Sequence, residues 1–595
     1  MALIFDIETD GLYDEVTKIH CLVMKSSVTG EVTTYTGTDV EQGLRFLMKS
    51  GSVISGHNII KYDIPVIKKL YPWWGIQKDK VFDTLVATRL IWANIKDNDN
   101  LLLKEGRLPG KLFGSHSLEA WGYRLGNYKG DYKGGWETFT QEMLDYCVQD
   151  VEVTSALYQK IVSKDYSQTA LELEHQVAWL MAKQERNGFH FDMKKASDLL
   201  SRLVQRRGEL ERELKDYFGS WVIQLPPFVP KVNNKTRGYT KGVPVERSKT
   251  IEFNPSSRDH IADRLTTLYG WKPTVFTEGG KPQVDEVILG ELDYPPCKLL
   301  TEYLTVQKRI SQLFEGGQAW MKCEKQGRIH GSVNPNGAVT GRATHSYPNI
   351  SQVPSSGSAY GRDCRELFTV PDGWTLVGAD ASGLELRCLA HYMAKYDGGK
   401  YGEVLLNGDI HTENQKAAGL STRAQAKTFI YGFLYGAGDA KVGSIVGGTS
   451  SDGRELKTKF LRSLPALKRL TEAVREASKR GFLVGLDGRQ LHVRSAHAAL
   501  NTLLQSAGAI VCKKWLVLLD AQLQSTLGYK HGWDGDYAFC AWSHDEVQIA
   551  CRTKDIAANV MALATDCVTQ AGEHFGFRCP LAGEAKWGTS WADTH

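Results

Sequence analysis

The sequence predicts a multidomain α/β protein. Three observations lead there. The chain has 595 residues, too many for a single core. Strand-like and helix-like periods alternate from residue 3 to about 160, and two long amphipathic helical patterns follow.

The length sets an expectation of roughly four domains or subdomains. A content of 42% hydrophobic and 24% charged residues suffices for ordinary cores and excludes global disorder. A net charge of +4 is too mild to mark a nucleic-acid binder by itself. Any basic surface must therefore be local and balanced by acidic clusters, which is the form metal sites take. No run reaches 18 uninterrupted apolar residues, so no membrane span is expected. The stretch Met1–Asp6 has no basic region and meets a carboxylate at once, so no secretory leader is expected either. The eleven cysteines form no CxxC pair. They read as reduced core thiols in a cytoplasmic protein without structural zinc.

Residues 3–7 and 19–24 have strand character. From Met193 to Phe218, Leu199, Leu203, Leu210 and Leu214 keep helical spacing behind Asp192, a natural N-cap. A second helix is expected from about Cys297 to Leu313, pairing with the first as an antiparallel arm. Between them, 220–252 is rich in proline and cations and reads as a basic loop.

Asp6-Ile7-Glu8 ends an apolar strand, so its two carboxylates project from one face. Tyr146 and Asp150 are four apart in a helical stretch and share a face. Asp63 supplies a further acid. Each alone is most often a cap or a solvated charge. As an ordered set they offer hard oxygen ligands suited to Mg²⁺ or Mn²⁺ and to in-line attack on a phosphodiester.

A second constellation lies downstream. Thr375–Asp380 reads as a strand ending in a carboxylate, followed by a turn into a helix through Glu385. Ala541–Ile549 reads as two short strands about the acidic turn His544-Asp545-Glu546. Two acids on separate elements suit a metal pair for phosphoryl transfer. Arg423, Lys427, Tyr431 and Tyr435 recur every four residues and form one helical stripe of two cations and two aromatics, suited to a nucleoside triphosphate. The Gly-Ala-Gly at 436–438 follows a helix rather than a strand, which argues against a dinucleotide site.

Taken in order, Asp-x-Ser-Gly-Leu-Glu-Leu-Arg from Asp380, Arg-x3-Lys-x3-Tyr-Gly from Arg423, and His544-Asp545-Glu546 resemble motifs A, B and C of the family A DNA polymerases. The phrases Asn334–Arg342 and Leu500–Ser506 resemble the replicative polymerases of short-tailed bacteriophages. The acids at 6, 8, 63 and 150 with Tyr146 are similar to the proofreading exonucleases of three carboxylate motifs. The resemblance implies a ribonuclease H-like 3′→5′ exonuclease at 1–165. A right-hand polymerase would follow: start of the palm at 166–192, thumb at 193–330 with its basic loop 220–252, palm at 331–400, fingers at 401–480 and palm again at 481–595.

It also implies roles. Asp380, with Ala381 beside it, and Asp545 would hold two Mg²⁺ ions, with Glu546 and Lys427 among the catalytic groups. Asp6, Glu8, Asp63 and Asp150 would hold a second pair, with Mn²⁺ able to substitute, and Tyr146 would orient water. His411, Arg423 and Lys427 would hold the triphosphate, Tyr431 would stack near base and sugar of the nucleotide, and Glu385 would reject ribonucleotides. Arg342, Gln505 and His544 would touch the primer–template. The implied partners are primer–template DNA, dNTPs and a replicative helicase–primase. The loop 220–252 is shorter than the thioredoxin-binding loop of phage relatives, so thioredoxin is not expected to be required. The competing reading is a single-subunit RNA polymerase of the same hand-like fold, against which Glu385 and the exonuclease set argue.

Overall fold

The structure, a computed structural model, describes residues 1–128 and 130–595. The chain divides into two compact units, one of residues 1–189, 330–352 and 370–595, the other of 190–329 and 353–369.

The first unit holds two main sheets. The N-terminal sheet has five strands in the order Val32–Thr36, Ile19–Ser26, Ala2–Thr9, Val53–Gly56, Val81–Asp83. Its first two pairings are antiparallel and its last two parallel. Period two divides the first strand. Leu3, Phe5 and Ile7 enter one core, and Ala2 and Ile4 pack with Cys21, Val23, Cys147 and Val151 on the other. That second face is covered by the helix Gln141–Val162, started by the Thr140 hydroxyl, which accepts from the Met143 N–H.

The second sheet has four antiparallel strands in the order Tyr537–Ser543, Glu546–Cys551, Thr375–Ala381, Gly583–Gly588. The helix Lys554–His574 packs chiefly against the last two strands of that order, Thr375–Ala381 and Gly583–Gly588. The helix Ala499–Ser525 runs through the core with Ile510, Trp515, Leu516 and Leu519 fully buried. By length and composition the stretch Ala496–Ser525 is apolar enough to cross a membrane, beyond what the uninterrupted-run criterion registers. Of its most apolar window 67% is buried inside the protein, as in a core helix.

A buried charge network also lies in this unit. Glu174 meets Lys513 at 2.5 Å and Arg489 at 2.7 Å, and Arg489 meets Asp487 at 2.6 Å, all with side chains at most 1% exposed. Two acids and two cations balance there, as buried ions require.

In the second unit the helix Met193–Phe218 begins where the Asp192 carboxylate accepts from the Lys195 N–H. It lies against Cys297–Ile310, joined by Arg206 to Glu302 at 2.7 Å and Arg207 to Gln307 at 3.0 Å. The second helix passes into a π-helical turn, Ser311–Glu315, rather than running on regularly to Leu313. The segment expected as a loop is instead a two-stranded antiparallel ribbon, Ser220–Phe228 with Val245–Glu252. Its ladder is irregular between Leu225 and Phe228, where Pro226 and Pro227 have no N–H to contribute.

Candidate functional sites

Because Asp6 and Glu8 share the face of Ala2 and Ile4, they meet the helix that carries Cys147 and Asp150. Ligand atoms of Asp6, Glu8 and Cys147 lie within 4.8 Å of one another, and the Cys147 thiol donates weakly to Asp6 Oδ2 at 3.6 Å. Burial raises the Cys147 thiol well above its ordinary range, so it stays protonated. Asp63 opens the helix Asp63–Leu70 and is 4% exposed. Burial, and then the charge of Asp6, push its carboxyl well up. Its Oδ1 is buried without a hydrogen-bond partner. A cation is the group that relieves such crowding, and this set of oxygens suits a hard divalent ion.

The cleft beside these acids has a volume of about 560 Å³. Asp6, Asp150, His57, Arg89, His116 and Asn334 are among its lining residues. Nε2 of His57 donates to the His116 carbonyl at 3.0 Å, and Nδ1 meets the Thr84 hydroxyl at 2.8 Å. Burial, followed by Arg89 and Arg124, holds His116 down at about 3, so the ring is neutral. Tyr146 stands one turn before Asp150 with its ring beside Tyr132, centroids 5.8 Å apart, and is not among the described residues lining the cleft. His57, Arg89, His116 and Asn334 were not legible as site residues. Only the tertiary fold brings them to the acids.

In the second sheet, Asp380 pairs in register with Glu546 on one side and with Glu584 on the other. Directly opposed residues share a face, so three carboxylates form a row across three strands. Asp380 sits above the usual carboxylate range, mainly through burial. Glu584, Asp545 and Glu546 add to this, and His595 opposes it. The Ala381 N–H donates to the Asp545 carbonyl at 3.0 Å and so ties the acidic turn to this strand. His544 takes a left-handed conformation at that turn, φ 57°, and its carbonyl accepts from Trp542 Nε1 at 2.9 Å. Burial and Arg342 keep His544 below its ordinary pKa. Glu546 is 7% exposed and accepts from Gln548 at 2.8 Å and from Trp591 Nε1. It is thus engaged by the C-terminal segment.

A cavity of about 390 Å³ opens at Asp545, lined also by Arg342, Glu385, Tyr435, His544 and Trp542. Glu385 receives a bond from Arg342 at 3.4 Å and one from the Tyr435 hydroxyl. Gln505 lies on the long core helix and donates to Asn501 at 2.9 Å. Of its neighbours, Leu504 and Gly508 line the cavity.

The striped helix is Arg423–Leu434. It starts with a capping box in which Thr422 and Gln425 exchange bonds. Ala426, Phe429, Ile430 and Leu434 are buried, which leaves Arg423 and Lys427 exposed and Tyr431 half-buried along the opposite side. Arg423 bonds Asp409 at 2.6 Å. Asp409 also caps the helix Ile410–Ala418 through the N–H groups of His411 and Thr412. His411 stands 6.3 Å from the Tyr431 ring, and burial, then Arg423 and Lys427, lower its pKa. Arg423, Lys427, His411 and Tyr431 therefore form one cationic–aromatic group, with Asp409 paired to Arg423.

The model of DNA polymerase family A matches residues 234–593. The chain is 45% identical to the DNA-directed DNA polymerase of Enterobacteria phage T3 and 44% identical to that of Escherichia phage T7, over the full length of both partners in each case. Among solved structures, the POL domain of Pol1 from M. smegmatis, in complex with DNA primer–template and dNTP, superposes with a TM-score of 0.73 at 16% identity. That match covers 99% of this chain and 96% of the other.

Proposed function

This chain belongs to DNA polymerase family A, and from that premise we propose that it is a proofreading replicative enzyme with two separate metal-dependent sites. That it is a phage-type DNA-directed DNA polymerase follows from its full-length relatives. The proofreading 3′→5′ exonuclease is our reading of 1–165. We read 166–192, 331–400 and 481–595 as palm, 193–330 as thumb and 401–480 as fingers.

Asp380, Ala381 and Asp545 in the palm, and Asp6, Glu8, Asp63 and Asp150 in the exonuclease, would each hold two Mg²⁺ ions (or Mn²⁺), whose chemistry is to activate an attacking oxygen and stabilise a leaving one. In extension, Arg423, Lys427 and His411 bind the triphosphate. Tyr431 closes against the sugar. Glu385, steadied by Arg342 and Tyr435, occupies the space a 2′-hydroxyl would need. Arg342, His544 and Gln505 bind the primer–template near its end. Glu546, held by a bond from Trp591, is a further catalytic group beside the acidic turn. In degradation, Tyr146 orients the attacking water. The enzyme works in the host cytoplasm with primer–template DNA, dNTPs and a helicase–primase, and does not require thioredoxin.

The observation that carries the two-site reading is the pair of carboxylate clusters on separate sheets, one around Asp6 and one around Asp380. The test is extension and degradation of a labelled primer–template with Mg²⁺, with and without dNTPs. Asp545→Asn should stop extension and spare degradation, and Asp6→Ala with Glu8→Ala should do the reverse. Loss of both activities in either folded variant would reject two independent sites. Efficient extension with ribonucleotides would favour the RNA polymerase reading instead.

A further inference from the structure

The segment Ser332–Arg342 runs between the two sites. Its first part, Ser332–Asn334, pairs with Thr344–Ser346. Val333 is buried, and period two turns Ser332 and Asn334 to the other face. The Ser332 hydroxyl accepts from Lys61 Nζ at 2.9 Å. Asn336 Nδ2 donates to the Arg89 carbonyl at 2.7 Å. Between these two pins Asn334 lines the cleft that holds Asp6 and Asp150. Three alternate residues, 332, 334 and 336, thus face the N-terminal domain. At the far end of the segment Arg342 lines the cavity at Asp545.

The orientation of the Asn334 amide is fixed. Its Oδ1 accepts the Asn336 N–H at 3.2 Å, which leaves the NH₂ group as the donor for the cleft. A neutral donor suits this place. A phosphodiester entering between carboxylates needs hydrogen bonds, and a lysine here would pair with Asp6 or Asp150 and compete for the charge that holds cations. We propose that Asn334, which lies outside the exonuclease domain in sequence, is a substrate-contacting residue of the exonuclease cleft. Its amide N–H groups hold a phosphate oxygen near the 3′ end of the DNA. The proposal rests on reading that cleft as an exonuclease.

The test is steady-state degradation of a labelled single-stranded oligonucleotide, alongside extension of a paired primer. Asn334→Ala should raise the KM for degradation roughly five- to tenfold and leave kcat within about twofold. Asn334→Asp keeps the acceptor for Asn336 and the side-chain shape but has no donor and adds a negative charge, so its KM should rise further. Asn334→Gln, which keeps a donor, should recover part of the loss. An unchanged KM in the Ala variant would overturn the proposal, whatever the Asp variant shows, because the added charge of Asp acts even without a lost donor. So would a parallel fall in extension and degradation with a lower melting temperature, the mark of a purely structural residue. If the unaltered enzyme degrades no DNA with Mg²⁺, the exonuclease reading falls and this proposal with it. Normal degradation by Asn334→Ala removes this proposal alone.

Discussion

Asp380 and Glu584 stand directly opposite each other on adjacent antiparallel strands, a pairing that no motif in the sequence announces. Like charges so placed repel, and a cation held near them would relieve that repulsion. Glu584 is exposed, so its influence on the site is through the field rather than through direct burial. Glu584→Gln should therefore raise the Mg²⁺ concentration for half-maximal extension by about two- to fivefold, with the saturated rate little changed. A Mg²⁺ titration of primer extension measures this. An identical titration curve in both proteins would remove Glu584 from the site.

The hydroxyl of Tyr431 carries a specific consequence. The ring is half-buried on the striped helix, and burial, then Glu385 and Asp545, hold its phenol protonated. A phenol beside the sugar can bond to a triphosphate oxygen in place of the missing 3′-hydroxyl of a chain terminator. The enzyme should incorporate dideoxynucleotides efficiently, and Tyr431→Phe should lose that ability while retaining extension with ordinary dNTPs. Competition between ddNTP and dNTP in single-nucleotide extension gives the ratio directly. Equal selectivity in the two proteins would reject the assignment.

What could be read from the sequence divides along physical lines. Local periodicity, with a cap at Asp192, was enough to show the strand bearing Asp6 and Glu8, the helix behind Asp192 and the striped helix of Arg423, Lys427 and Tyr431, because each depends on residues within one element. The ribbon at 220–252 escaped because its second strand is polar and largely exposed, so it lacks the apolar alternation that Trp221, Ile223 and Leu225 give the first, and because Pro226 and Pro227 read as breakers. Asn334, His116 and Glu584 escaped for another reason. Each reaches its site through long-range packing or strand register, which spacing along the chain does not encode.

Acid sensitivity follows from a histidine outside both sites. Burial, then Arg578, lower His391 to about 4, and its Nδ1 accepts the Arg578 N–H at 3.0 Å. The unfolded chain binds a proton at this residue near pH 6.5, whereas the folded chain resists it until about pH 4. Between those values the unfolded state holds more protons, so stability falls as the pH is lowered. His391→Asn keeps an acceptor for Arg578 but cannot titrate. Its melting temperature should decline less steeply from pH 6.5 to 4 than that of the unaltered protein. Parallel curves would show that His391 does not contribute.

The basic ribbon bears on processivity. Lys231, Lys235, Arg237, Lys241, Arg247 and Lys249 are all exposed, with Glu246 as the acid among them. Arg247 and Lys249 share one face of a strand, and Arg247 lies 5.8 Å from the Phe228 ring. Pairing holds Arg247 and Lys249 in place on their strand, while Lys231, Lys235, Arg237 and Lys241 lie in the connection between the strands, so ordering on a duplex is needed mainly there. Each phosphate contact releases counterions and steepens the salt dependence of binding. A stable protein interface usually buries roughly 1,200 Å² or more, which a short two-stranded ribbon is poorly placed to supply. Neutralising the six cations should therefore shorten the products made under single-encounter conditions and flatten the dependence of DNA affinity on salt. Added thioredoxin should leave product length unchanged for the unaltered enzyme. A large gain with thioredoxin, or products of full length after neutralisation, would show that the ribbon serves a protein partner or no partner rather than DNA.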